Sequence, residues 1–192
     1  MARTESRMLP LGTTAPDFTL TDPYGDLHTL PAADEKQATV IMFICNHCPF
    51  VKHVRGALVA LAADYMPLGV AVLAINSNDA DTYPDDSPEN MRKEAERQGY
   101  PFPYLVDDDQ SVAKAYEATC TPDFFVFDSA LTLRYRGQLD DSRPGNGKSN
   151  DGHDIRSALD AVLAGAPVST VQTPSIGCNI KWKPGNAPDW AT

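Results

Sequence analysis

The chain has 192 residues, 42% hydrophobic and 22% charged, which is enough for one well-filled core and points to one domain with room for a tail. A formal net charge of -10 excludes the basic footprint that nucleic acid or an anionic membrane would need, so the expected partner is a protein or a small molecule. The opening "MARTESRMLPLGTTAPDF" lacks the apolar stretch of a signal peptide and no run is long enough to span a membrane, so a cytoplasmic protein is expected.

Taken in chain order, "ATVIMFIC" (38–45) is a continuous apolar, β-branched run that predicts a strand buried on both faces. Pro49 follows, and Val51, Val54, Leu58, Leu61 and Ala62 then recur at helical spacing, which puts Cys48 and Pro49 at a helix start. "GVAVLAINSN" (69–78) predicts the next buried strand. The Asp- and Pro-rich "DADTYPDDSPEN" reads as a loop that ends in a helix capped by Ser87, with Pro88 in its first position and Gly99 at its end. A short strand, an acidic loop and another helix follow in "PYLVDDDQSVAKAYEA". "DFFVFDSALTLRYRGQL" predicts an antiparallel hairpin turning around Asp128, Ser129 and Ala130. "DIRSALDAVLAG" reads as an amphipathic helix ended by Gly165. The domain is therefore assigned to residues 1–165, and the Pro/Gly-rich 166–192 to an extended tail packed on it.

The segment "CNHCP" raises three possibilities: a redox pair, a metal clip, or two core thiols. In a reducing compartment a close pair reads as catalytic or metal-binding. Strand, Cys45-Asn46-His47-Cys48, helix, strand, helix, hairpin and helix is the element order of a thioredoxin-like fold, an α/β architecture with a central mixed sheet flanked by helices. At a helix N-terminus a thiolate is stabilised by the free N–H groups and the dipole, so Cys45 is expected to be the nucleophile and the more acidic, more exposed thiol, with Cys48 resolving. An imidazolium at His47 would favour the reduced form and make the pair more oxidising. For zinc, Cys45, Cys48, His47 and His53 are possible ligands, but there is no second CxxC and no metal is expected. Asp85, Asp86 and Asp107 to Asp109 lack a calcium-loop spacing and read as solvated loop charge. Thr121-Pro122 introduces an apolar strand, and a proline there must mark a strand start, with either a cis or a trans bond.

These residues resemble a known group. "LGTTAPDFTLTDPYGDLHTL" is similar to the opening of redoxin domains, the alkyl hydroperoxide reductase and thiol-specific antioxidant branch of the thioredoxin-like superfamily. "CNHCP" matches their redox position and "TCTPDFFVFD" their cis-proline strand. "YRGQLDDSRPGN" and "PSIGCNIKWKPGN" further resemble a bacterial thioredoxin-like subgroup of about this length. The resemblance implies an N-terminal redoxin extension and thiol-disulfide exchange with protein disulfides, without a cofactor and with an unidentified thiol as electron donor. Cys45 would attack, Cys48 resolve, and Thr121 and Pro122 bind the partner's backbone, with Asn46, His47 and Pro49 as active-site neighbours.

Two features depart from thioredoxins. Ile44 stands where they carry Trp, and "TVIMFI" lacks their buried carboxylate, leaving His53, Lys52 or water as the base for Cys48. The principal alternative is a peroxidase acting on peroxides, with Cys48 as the peroxidatic thiol and Arg134, Arg136 or Arg143 stabilising its thiolate. A non-enzymatic, redox-gated binding module is a further alternative. Cys120, next to Thr121, and Cys178, in a tail that Ile180 and Trp182 would anchor, are possible additional redox thiols, although a buried inert thiol is the expectation for Cys178.

Overall fold

Strand β4 (Ala38–Phe43) is the centre of the molecule, and all six of its residues are buried. Its side chains alternate between two apolar clusters: Val40 and Met42 face one, Ile41 and Phe43 the other. Burial of such side chains stabilises the fold by roughly 1.5–3 kcal/mol each, and Thr39 is the one polar side chain in the run. The computed structural model describes residues 3–32 and 36–191. Met1, Ala2, residues 33–35 and Thr192, which fall in the expected 1–165 domain and 166–192 tail, lie outside that description.

The remaining elements are β1 (Arg3–Glu5), β2 (Phe18–Thr21), β3 (Leu27–Leu30), α1 (Pro49–Tyr65), β5 (Val70–Asn76), α2 (Pro88–Gln98), β6 (Tyr104–Val106), α3 (Ser111–Ala115), β7 (Cys120–Thr121), β8 (Asp123–Asp128), β9 (Leu133–Gly137), α4 (His153–Leu163) and β10 (Ile176–Asn179). Seven strands form a mixed sheet in the order β3-β2-β6-β5-β4-β8-β9. Within it β4, β5 and β6 run parallel, while β8 is antiparallel to β4 and β9 to β8.

The helical periodicity of α1 is realised: Val51, Val54, Leu58, Leu61, Ala62 and Tyr65 are its buried face, with Cys48 as N-cap and Pro49 in the first turn. Helix α2 begins where Ser87 accepts a hydrogen bond from the N–H of Asn90 and ends at Gly99, whose φ of 65° suits a residue without Cβ. The Asp128 side chain organises the hairpin turn by accepting from the N–H groups of Ala130 and Thr132.

The tail contributes a strand of its own. β10 lies between β1 and β7 in a second, three-stranded antiparallel sheet. Ile180 is buried in the core and Trp182 packs against it, so both apolar anchors are engaged. Among the described residues no helix is long and apolar enough to cross a membrane.

Candidate active site

β4 delivers Cys45 and α1 begins at Cys48, so the chain turns inside the CxxC segment. Both sulfurs are buried, Cys45 with 2% and Cys48 with 0% of its surface exposed. The Thr121–Pro122 bond is cis, and Thr121 meets both thiols: its Oγ1 is 3.2 Å from Cys45 Sγ and its carbonyl oxygen 3.2 Å from Cys48 Sγ. A third sulfur completes the cluster, with Cys178 Sγ 2.9 Å from Cys48 Sγ. All four cysteines are free thiols.

The two central thiols differ in the direction opposite to the expectation that Cys45 is the more acidic. Burial pushes the Cys45 thiol up, reinforced by its contact with Cys48 and the negative charge of Asp86. Cys48 is pulled down, first by the Cys178 thiol, then by the Cys45 thiol, with the N–H groups of Val51 and Cys178 assisting. Burial opposes a charge on Cys48, as does the Thr121 carbonyl beside it, but these donors prevail. The surrounding donors explain the reversal: the Cys178 thiol from the tail strand meets Cys48, while Cys45 is dominated by burial.

The acidic loop also departs from expectation. Asp86 is not solvated charge but a buried carboxylate, 2% exposed, beneath the CxxC turn. Its Oδ1 accepts from the N–H of Asn46 at 2.7 Å, and its Oδ2 from Asn78 Nδ2 at 2.8 Å and from His47 Nδ1 at 2.6 Å. Burial alone would raise its pKa, but these donors, His47 first, hold it below the ordinary carboxylate value. An ionised carboxylate can only accept, which puts a proton on Nδ1 of His47. The His47 ring stacks on Tyr83 at 5.4 Å. Asn46 is fixed by the Asp85 carbonyl at 2.7 Å, by the Tyr104 hydroxyl at 3.1 Å and by Arg55, whose Nη2 donates to its carbonyl at 3.2 Å. Asp107, likewise buried, accepts from Ser77 and from the N–H groups of Val112 and Ala113 at the start of α3. Among the five acidic residues of that reading, Asp85, Asp108 and Asp109 are exposed.

Other expected participants lie elsewhere. His53 Nε2 is 3.1 Å from Ser142 Oγ, and Lys52 is exposed on α1. The four-ligand zinc set therefore does not assemble; instead Cys45, His47 and Asp86 bring one ligand atom each within 4.8 Å of one another. Arg134 pairs with Asp128, Arg136 donates to the Leu9 carbonyl and Gln172, and Arg143 donates to the carbonyls of Asp140 and Ser142, so each guanidinium is committed away from Cys48. Cys120 donates to the Pro122 carbonyl at 3.7 Å, and burial pushes its thiol far up. Alternation along β7 separates it from the cluster, because Thr121 faces α1 with its cross-strand partner Cys178, whereas Cys120 and Asn179 face the other side. A buried carboxylate does exist close to the site, but on the proline strand: Asp123, 1% exposed, pushed far up by burial.

A CxxC pair at the junction of a buried strand and a helix, faced by a Thr-Pro strand start on a mixed sheet, defines the thioredoxin-like class. Residues 11–136 match the AhpC/TSA family, and the chain belongs to that family. It is 31% identical over 126 residues, 65% of this chain and 67% of the other, to the thiol-disulfide oxidoreductase ResA of Geobacillus kaustophilus (strain HTA426). Among solved structures, an uncharacterized conserved protein from Geobacillus kaustophilus superposes with a TM-score of 0.94 at 62% identity, covering 96% of this chain and 98% of that one. A hypothetical protein from Sinorhizobium meliloti 1021 gives a TM-score of 0.93 at 53% identity over 95% of this chain and all of that one (100%).

Proposed function

We propose that the protein is a thiol-disulfide oxidoreductase in which Cys45 and Cys48 cycle between dithiol and disulfide, with disulfides as substrates and a thiol as electron donor. The observation that carries this reading is the placement of two buried thiols at the N-terminus of α1, each 3.2 Å from an oxygen of Thr121 at the cis-proline strand start. The relationship to ResA supports the same chemistry.

In the reduced protein Cys48 carries the charge and Cys45 the proton. Cys45 has what little surface the pair exposes, so it meets the substrate. Cys45 Sγ attacks one substrate sulfur, the substrate S–S bond breaks, and the departing thiolate takes the proton that Cys45 gives up, while Cys48 stays a thiolate. Cys48 Sγ then attacks Cys45 Sγ and releases the second substrate thiolate, which is protonated by water. The protein loses two electrons and the substrate gains them. Asp86 positions the turn through Asn46 and His47.

Insulin-disulfide reduction and hydrogen peroxide consumption, measured side by side with a dithiol donor, test this reading. Disulfide reduction lost in both Cys45→Ser and Cys48→Ser is the expected result. Peroxide consumption alone, retained in Cys45→Ser, would replace it with the peroxidase reading that an acidic Cys48 also fits.

A further inference from the structure

Cys178 is separated from Cys48 by 130 positions in sequence, yet the two sulfurs are 2.9 Å apart. The fold holds the tail there by several independent ties. The Ser175 hydroxyl donates to the Pro122 carbonyl at 2.5 Å, and the Ser175 N–H donates to Ser6 Oγ at 2.8 Å. Beyond the cysteine, the Lys181 N–H donates to Asn78 Oδ1 at 2.8 Å, and Asn78 also donates to Asp86. Gly177 permits the approach, since a Cβ there would lie 2.0 Å from the Thr121 carbonyl oxygen. Cys178 pairs with Thr121 across the β10–β7 ladder. The tail strand therefore lies along the residue to which the family resemblance assigns the binding of a partner's backbone, with a cysteine against the redox pair.

We propose that Cys178 is a third redox thiol that exchanges within the chain: in the oxidised protein it attacks Cys48 Sγ, forming a Cys48–Cys178 disulfide and releasing Cys45. One S–S bond forms as another breaks, and the proton leaving Cys178 ends on Cys45, so no oxidant or reductant is consumed. In the reduced protein Cys178 is held protonated chiefly by its contact with the Cys48 thiolate. Oxidation of Cys48 removes that charge and frees Cys178 to ionise. The exchange stores the oxidising equivalent in the interior and returns Cys45, the sulfur facing substrate, to the thiol state. The inference rests on the dithiol reading of Cys45 and Cys48, and deepens it.

Trypsin separates the outcomes, because Cys45 and Cys48 share the peptide 37–52 while Cys178 lies in 157–181. The full-length protein, oxidised with one equivalent of diamide, quenched in acid, alkylated and digested, is expected to yield the joined peptides 37–52 and 157–181 beside the internally bridged 37–52. Cys45→Ser should give the joined pair as the main product, and Cys178→Ala should abolish it. Only the internal bridge in the wild type, together with no joined pair in Cys45→Ser, would overturn the proposal and leave the dithiol reading intact. Insulin reduction reports on that reading separately: its absence from the wild type, with the joined pair still formed, would sink the dithiol reading rather than the Cys48–Cys178 bond.

Discussion

Nδ1 of His47 lies 2.6 Å from Oδ2 of Asp86, so one of the two residues between the cysteines is held by a carboxylate from the segment between β5 and α2. The same carboxylate accepts from the N–H of Asn46, and the turn carrying both cysteines is thereby shaped from below by one buried charge.

Replacing that charge should loosen the turn. In Asp86→Ala the donors on Asn46, His47 and Asn78 lose a buried acceptor, with an expected loss of about 3 kcal/mol, in the range for breaking a buried charged contact. Urea unfolding of the variant and the wild type measures it. A change within experimental error would mean that water replaces the carboxylate.

The same group sets part of the acid sensitivity. The folded-state pKa of Asp86 is depressed, so its contribution to stability is present above the unfolded value of about 3.9 and is lost as pH falls through the lower folded value. The stability difference between the wild type and Asp86→Asn should therefore shrink as pH is lowered from neutrality to below 4. Parallel denaturation series at several pH values would reveal a constant difference if Asp86 did not titrate with folding.

Asp123 should have the opposite sign. Its Oδ1 accepts from the N–H of Phe124 at 3.1 Å, and burial pushes its pKa far up against the opposing contacts of Phe124 and Ser6. The folded chain keeps a proton that the unfolded chain releases, so stability falls as pH rises above about 3.9, by about 1.4 kcal/mol per unit until the folded carboxyl ionises. Asp123→Asn removes this slope and should be more stable than the wild type at neutral pH. Thermal melts at pH 5 and pH 8 compare the two slopes directly; a variant that keeps the wild-type slope contradicts the assignment.

The acidity of Cys48 depends most on Cys178, so Cys178→Ala should raise the pH at which the thiolate forms. Ultraviolet thiolate absorbance followed by titration would show this, and the signal should survive Cys45→Ser but not Cys48→Ser. A thiolate lost in Cys45→Ser instead would restore Cys45 as the acidic thiol.

Gly177→Ala should push β10 away from β7, because the new methyl would sit 2.0 Å from a backbone oxygen that has no flexible end to yield. Overpacking of this kind costs roughly 1–3 kcal/mol. The unfolding midpoint measures the loss, and loss of the joined Cys48–Cys178 peptide on oxidation would accompany it.

What the sequence determined by itself is what short-range pattern encodes. A six-residue buried strand, Pro49 and a helical stripe from Val51 to Ala62 place Cys45 and Cys48 at a strand-to-helix junction, since periodicity and the absent proline N–H act within a few residues. Ser87, Gly99 and Asp128 set their boundaries for the same local reason. The tertiary structure decided which charges are buried and which thiols meet. Asp86 reaches Asn46 across 40 positions and Cys178 reaches Cys48 across 130, and neither residue type nor neighbouring sequence distinguishes Asp86 from the exposed Asp85 beside it. Nor could the helix-dipole argument choose between the two cysteines: the acidity of a thiol depends on the donors that surround it, and those of Cys48 include a tail strand that only the folded chain brings to α1.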